Sequence, residues 1–300
     1  MNILDTVGNT PLVDLANISA SVRGVRVAAK AEFFNPSGSV KDRAAKAMIL
    51  GGIKSGALSK GKTIIDATSG NTGISYAMIG AALGYPVKLF MPQNAGFERK
   101  RIISGYGAEI VETSPLEGSD GAFAAARAEA ERAPELYFYP DQYNNAANPL
   151  AHYETTGAEI WNQSGGKITH FITGMGTSGT LTGTSRRLRE LDPGITIIAV
   201  QPNSPFHGIE GTKHMSSTIK PGIYDENAAE GVVTVSTEDA YEMARRLARE
   251  EGIFTGVSSG ANVSAALALA KTLPAGSYVV TILCDHGTRY LSDDFWEGPR

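Results

Sequence analysis

One lysine sits where an amine could act as a nucleophile. Asn35-Pro36-Ser37-Gly38-Ser39-Val40-Lys41-Asp42-Arg43 reads as a turn that feeds a helix. Pro36 and Gly38 punctuate the turn. Ser39 and Asp42 have the spacing of a capping-box-like pair, and Ala44, Ala45, Ala47, Met48 and Ile49 carry the helix on. Lys41 then falls in the first helical turn, where the macrodipole favours anions over a cation. That seat suits an amine working without its proton, as a Schiff-base lysine must. On this stretch alone a solvated lysine beside Arg43 is the favoured reading.

Two strand–glycine loop–helix junctions offer a second kind of chemistry. They are Thr68-Ser69-Gly70-Asn71-Thr72-Gly73 and Gly174-Met175-Gly176-Thr177-Ser178-Gly179-Thr180. Backbone N–H groups at a helix N-terminus, approached closely through glycine, form an anion site. The first loop has hydroxyls and an amide but no lysine or arginine, which suits a carboxylate or a neutral group. The second adds the hydroxyls of Thr177, Ser178 and Thr180, a nest for one phosphate. Either loop alone could be a tight turn that needs glycine. Two of them at the carboxyl ends of predicted strands stand where α/β folds bind ligands.

Other chemistries fit less well. Gly174, Gly176 and Gly179 spell G-x-G-x-x-G, but a dinucleotide site wants an acid about twenty residues on. The next strand ends Val200-Gln201-Pro202. No G-K-[ST] marks a nucleoside triphosphate loop. Gly256-Val257-Ser258-Ser259-Gly260 matches the nucleophile elbow of hydrolases. Only Asp285-His286 follows it as acid and base, so a serine hydrolase using Ser258 is the alternative from another class. The histidines at 152, 170, 207, 214 and 286 lack zinc-ligand spacing, and no metal is expected.

These loops need a frame. Asn9 to Val13 opens the fold, and residues 25–32 alternate as a strand. Short apolar strands are predicted at 62–66, 87–91, 109–112 and 136–139, with helices over 74–83, 97–104 and 118–133 between them. From about residue 148 the pattern restarts with a helix over 153–161, a strand over 168–173, a helix ending near Leu191 and a strand over 195–200. Residues 201–230 are polar, irregular and proline-dotted, as a binding loop would be. Ser236 with Asp239 caps a helix that Gly252 ends, and a helix over 261–271 and a strand over 278–284 close the chain. Two such alternations predict two parallel-sheet α/β domains with a cleft between them.

Three hundred residues with 42% hydrophobic and 19% charged content suit a soluble globular protein with a sizeable core. A net charge of −4 gives no electrostatic reason to bind nucleic acid or an anionic membrane. No apolar run reaches the ~18 residues of a transmembrane helix, and the start lacks the basic-then-apolar plan of a signal peptide. Cys284 is the single cysteine. It excludes an intrachain disulfide and fits a reducing cytoplasm.

Taken together, the motifs resemble the fold-type II pyridoxal-phosphate enzymes, and among them the cysteine synthases. The likeness runs from Gly8-Asn9-Thr10-Pro11-Leu12 through the Lys41 stretch, both glycine loops and residues 256–260, to Arg289-Tyr290-Leu291-Ser292. Gly174-Met175-Gly176 and Cys284-Asp285-His286-Gly287 are closer to the B-type members. The resemblance implies a tryptophan synthase β-like fold, with residues 1–38 and 147–300 as the larger, phosphate-binding domain and 39–146 as a smaller, movable one. It implies pyridoxal 5'-phosphate as cofactor, held by Lys41, by Gly176, Thr177, Ser178, Gly179 and Thr180 at the phosphate, by Asn71 at the ring hydroxyl and by Ser258 at the pyridine nitrogen. Thr68, Ser69, Thr72 and Gln142 would grip the substrate α-carboxylate. The implied reaction is β-replacement on O-acetylserine or O-phosphoserine by sulfide, in a cytoplasmic homodimer; cystathionine formation is the nearest rival. One departure is visible: Glu210 and Gly211 stand where some B-type members carry paired arginines. Lys213, His207 or His214 in that loop could receive a phosphate leaving group.

Overall fold

Unbroken apolar runs need cover on both faces, and the strands they form here lie inside two layered sheets. The computed structural model describes residues 1–68 and 70–298. The first elements are β1 Leu12–Asp14, β2 Arg26–Ala31, α1 Lys41–Ser55, β3 Thr63–Ala67, α2 Asn71–Leu83, β4 Val87–Pro92, α3 Phe97–Gly105, β5 Glu109–Thr113, α4 Gly118–Arg132 and β6 Tyr137–Phe138. Then come α5 Ala147–Ala151, a π turn His152–Thr156, α6 Gly157–Gln163, β7 His170–Gly174, α7 Gly179–Leu191, β8 Thr196–Pro202, β9 Gly231–Val235, α8 Thr237–Glu250, α9 Val257–Ala270 and β10 Tyr278–Leu283.

A four-stranded sheet runs β5-β4-β3-β6, all parallel. A six-stranded sheet runs β1-β2-β10-β7-β8-β9. It is parallel except at β1, which pairs antiparallel with β2. Alternating side chains fill the two faces of each sheet. Val279 and Leu283 of β10 pack with Leu247 of α8 and Leu267 of α9, whereas Val280 and Ile282 pack with Ile160, Leu181 and Leu188 of α6 and α7. Ile64 and Leu89 meet Met48 of α1 and Ile74 of α2. Ile65 and Phe90 meet Ala122 and Ala126 of α4. The two parallel-sheet layers expected from the sequence are therefore present.

Four local features differ from the sequence expectation. β9 is an edge strand with Val232 half exposed, so its apolar signal is weak. The helix expected from residue 153 begins at Ala147, with Pro149 inside its first turn, a place that tolerates a missing N–H. α9 starts at Val257 rather than Ala261. Serine and glycine are poor helix formers, but a Cβ on Gly260 would lie 2.1 Å from the Ala240 carbonyl oxygen, so close packing of α8 on α9 demands the glycine. Ser39 and Asp42 also do not form a capping box. The Ser39 hydroxyl accepts from the Lys41 N–H at 3.3 Å, while the Asp42 carboxylate turns back to accept from the Ser37 N–H at 2.7 Å and from Ser75 Oγ at 2.5 Å.

Candidate active site

The turn before α1 is fastened to the end of β10. The Val40 N–H donates to the Cys284 carbonyl at 2.8 Å, and the His286 N–H donates to the Gly38 carbonyl at 3.3 Å. The Gly256 N–H, just before α9, donates to the Asp285 carbonyl at 3.2 Å. The first residues of α1 and of α9 are thus both held at the carboxyl end of β10. Lys41 is half-buried there. Burial, reinforced by Asp285, pushes the Cys284 thiol up to about 11, against the opposing pull of the Lys41 charge and a hydrogen bond from Ser258. Ser258 is thus within hydrogen-bond reach of Cys284, and Lys41 is near enough for its charge to act on the thiol.

Two residues beyond Lys41, Arg43 anchors the same turn from behind. Its Nε donates to Glu32 Oε2 at 2.7 Å, and its Nη1 and Nη2 donate to Glu159 at 2.7 Å each. Lys30, wholly buried, pairs with Glu159 at 2.7 Å. Burial alone would raise the Glu32 carboxyl, but Arg43, Thr10 and Lys30 outweigh it and bring it to about 2. Asp42 goes the other way: burial raises it despite its serine partners.

The first glycine loop enters α2. Thr68 Oγ1 accepts from the Gly70 N–H at 3.1 Å. Thr72 Oγ1 donates to Gln142 Oε1 at 2.9 Å, and Gln142 Nε2 donates to the Ala67 carbonyl at 3.4 Å. The structure thus joins Thr68, Thr72 and Gln142 around one strand end. Ser69, expected with them, lies outside the described residues. Asn71 Nδ2 donates to Asp285 Oδ2 at 2.6 Å, and its Oδ1 accepts from Arg289 Nη1 at 2.6 Å. Tyr290 donates to the same Asp285 oxygen at 2.7 Å. The sequence motif ending in Arg289 and Tyr290 was legible, but nothing in it announced that these residues and Asp285 surround Asn71.

The second loop caps α7, a helix of 13 residues. Ser178 holds a left-handed backbone at φ +70, and its buried hydroxyl has no hydrogen-bond partner. A Cβ on Gly176 would lie 2.3 Å from the Gly211 carbonyl oxygen. Thr177 Oγ1 accepts from Asn148 Nδ2 at 3.1 Å and from the Gly179 N–H at 3.4 Å. Thr180 Oγ1 lies 3.3 Å from His152 Nε2. Burial, with Arg43, holds that histidine at about 3, so its ring is neutral. An orphaned hydroxyl and free N–H groups at a helix start fit an anion with several acceptor oxygens. His152 was not singled out from the sequence.

The hydrolase arrangement does not assemble. His286 turns its Nδ1 to Thr288 Oγ1 at 3.0 Å and packs edge-on against Phe33 and Phe254. Asp285 is committed to Asn71 and Tyr290. Among the described residues, no group of three or more His, Cys, Asp or Glu side chains is placed to hold a metal ion, and no helix is long and apolar enough to cross a membrane.

Residues 3–285 match the family described as pyridoxal-phosphate dependent enzyme. The chain belongs to this family. It is similar to a cysteine synthase of Aquifex aeolicus, with 52% identity over 97% of this chain and 90% of that protein. It is similar to cysteine synthase B of Escherichia coli, with 46% identity over 96% of this chain and 93% of that one. A crystal structure of cysteine synthase from Entamoeba histolytica superposes with a TM-score of 0.94 at 36% identity, covering 100% of this chain and 91% of the other. The fold is the type II architecture of this enzyme family, and its cofactor is pyridoxal 5'-phosphate. The orphaned Ser178 hydroxyl and the narrow Gly176 approach fit that cofactor's phosphate.

Proposed function

We propose that this chain makes L-cysteine by β-replacement, exchanging the leaving group of an O-activated serine, O-acetylserine first, for sulfide. The observation that carries the reading is that the starts of α1 and α9, which bear Lys41 and Ser258, are both hydrogen-bonded to the chain at the carboxyl end of β10. The similarity to two cysteine synthases over nearly the whole chain supports it. Lys41 would hold the cofactor, Gly176 to Thr180 its phosphate, Asn71 its ring hydroxyl and Ser258 its pyridine nitrogen. When bound, pyridoxal phosphate supplies an electron sink beside the substrate α-carbon.

The chain's own residues do the rest. Thr68, Ser69, Thr72 and Gln142 hold the α-carboxylate, so the α-carbon is presented to Lys41. The Lys41 amine takes the α-proton and later returns one. The uncharged Ser258 hydroxyl stabilises a protonated ring nitrogen less than a carboxylate would, which favours β-elimination over transamination. We take residues 39–146 as the smaller domain that moves over residues 1–38 and 147–300 when the α-carboxylate is held. That closure excludes water from the reacting carbons. We further place the enzyme in the cytoplasm as a homodimer, which sedimentation of the holoenzyme tests.

The deciding assay supplies the holoenzyme with O-acetylserine or O-phosphoserine, each with sulfide or homocysteine, and measures the amino acid released. Cysteine from O-acetylserine and sulfide is expected. Cystathionine as the dominant product, or no product from any donor, refutes the reading.

A further inference from the structure

The loop between β8 and β9 lies against the phosphate-type turn. The Lys213 N–H donates to the Met175 carbonyl at 2.7 Å, and the Gly211 carbonyl is the atom that a Cβ on Gly176 would strike. Farther along, the Ile223 N–H donates to the Tyr143 carbonyl at 3.2 Å. Tyr143 directly follows Gln142, the partner of Thr72. The Lys213 side chain spans the gap between these two anion-grasping regions. Its Nζ stands 4.8 Å from the centre of the Tyr143 ring.

Among the described residues, no carboxylate lies within ion-pair distance of Lys213. The nearest acid on its own loop, Glu210, pairs with Arg99 instead. His207 and His214 turn to their own loop, to the Ile209 N–H and to Ser217 Oγ. Burial pulls the Lys213 amine down, opposed only through space by the charge of Asp120. A half-buried cation facing only an aromatic ring is poorly compensated. It is a seat for an arriving anion.

The reaction proposed above involves three anionic groups, one on the cofactor and two from the donor. The cofactor phosphate has the Ser178 turn, and the α-carboxylate has the Thr72–Gln142 grip. The third is the group that departs from the β-carbon. We infer that Lys213 is a specificity-determining residue that binds the monoanion leaving the donor's β-carbon. The Cβ–O bond breaks and its electron pair leaves on the carboxylate oxygen, while the α-proton passes to Lys41 Nζ and a Cα–Cβ double bond forms. Lys213 keeps its proton and only holds the anion. This inference rests on the β-replacement reading, and it names the residue that selects the donor.

The test compares wild-type holoenzyme with K213M and K213R. For K213M, kcat/KM for O-acetylserine should fall on the order of tenfold to a hundredfold, the span of a charge-assisted contact. The spectroscopic affinity for L-alanine, which has the α-carboxylate and no leaving group, and the KM for sulfide should stay within about twofold. K213R should recover most of the loss. Acetate titrated calorimetrically into holoenzyme saturated with L-alanine should bind wild type and bind K213M about tenfold more weakly. Equal loss of L-alanine affinity, a defect confined to the sulfide step, or unchanged acetate binding would each overturn the assignment. Wild-type enzyme inert toward O-acetylserine would sink the function instead, and the acetate titration would still judge Lys213.

Discussion

Replacing Arg43 by methionine removes the cation that neutralises a buried carboxylate, and the cost can be worked from the structure. Arg43 makes two hydrogen bonds to Glu32, at 2.7 and 2.8 Å, and a third to Thr10 Oγ1 at 3.1 Å, besides its pair of bonds to Glu159. Glu32 is wholly buried and held at about 2, against an ordinary value of 4.5. That displacement corresponds to roughly 3 kcal/mol of folding stability. Because the folded value is depressed, the contribution is present above about pH 4.5 and is lost as pH falls toward about 2. Removing one partner of such a buried pair costs about 3–5 kcal/mol, since the remaining charge is left uncompensated. Urea unfolding of the holoenzyme at pH 7 should therefore show R43M destabilised by about that much. The double variant E32Q/R43M should be more stable than R43M alone, because the stranded charge has gone. R43M within about 1 kcal/mol of wild type, or a double variant less stable than R43M, would refute the reasoning.

Three further outcomes are expected. K41A should lose at least about a hundredfold in turnover and the absorbance of bound cofactor, and normal turnover would remove Lys41 from the mechanism. G176A should weaken cofactor binding by about 1–3 kcal/mol, because the new methyl group meets the Gly211 backbone and not a movable side chain; equilibrium dialysis with unchanged affinity would contradict this. Asp66, wholly buried at the end of β3, is pushed up by burial to about 7, and its Oδ2 has no hydrogen-bond partner. A raised folded value means stability present below about pH 4 and lost as pH rises through about 7. The stability of wild type relative to D66N, from denaturant midpoints, should fall across that window, and a difference that stays constant with pH would assign the titration to another group.

Much of the layered architecture was legible because strand burial and helix starts are local signals. Unbroken apolar runs at β3, β4, β7 and β10 announced covered parallel strands. Glycines and hydroxyls before α2 and α7 announced the turns that start those helices, and Ser236 announced the start of α8, where its hydroxyl indeed accepts from the Asp239 N–H at 3.0 Å. The edge strand β9 and the early start of α9 were not legible, since an exposed face and a packing-imposed glycine weaken or contradict the local pattern.

The sequence by itself determined the order of strands, helices and glycine turns, and it nominated Lys41 by its place at a helix start. Only the tertiary structure decided what those groups touch. It turned Asp42 from a helix cap into a partner of Ser37 and Ser75. It enclosed Asn71 between Asp285 and Arg289, more than two hundred residues away along the chain, and it laid Lys213 over Tyr143. Propensity and periodicity are properties of a few neighbouring residues, whereas a site is made where distant segments are packed together, so its contacts exist only once the two sheets are in place.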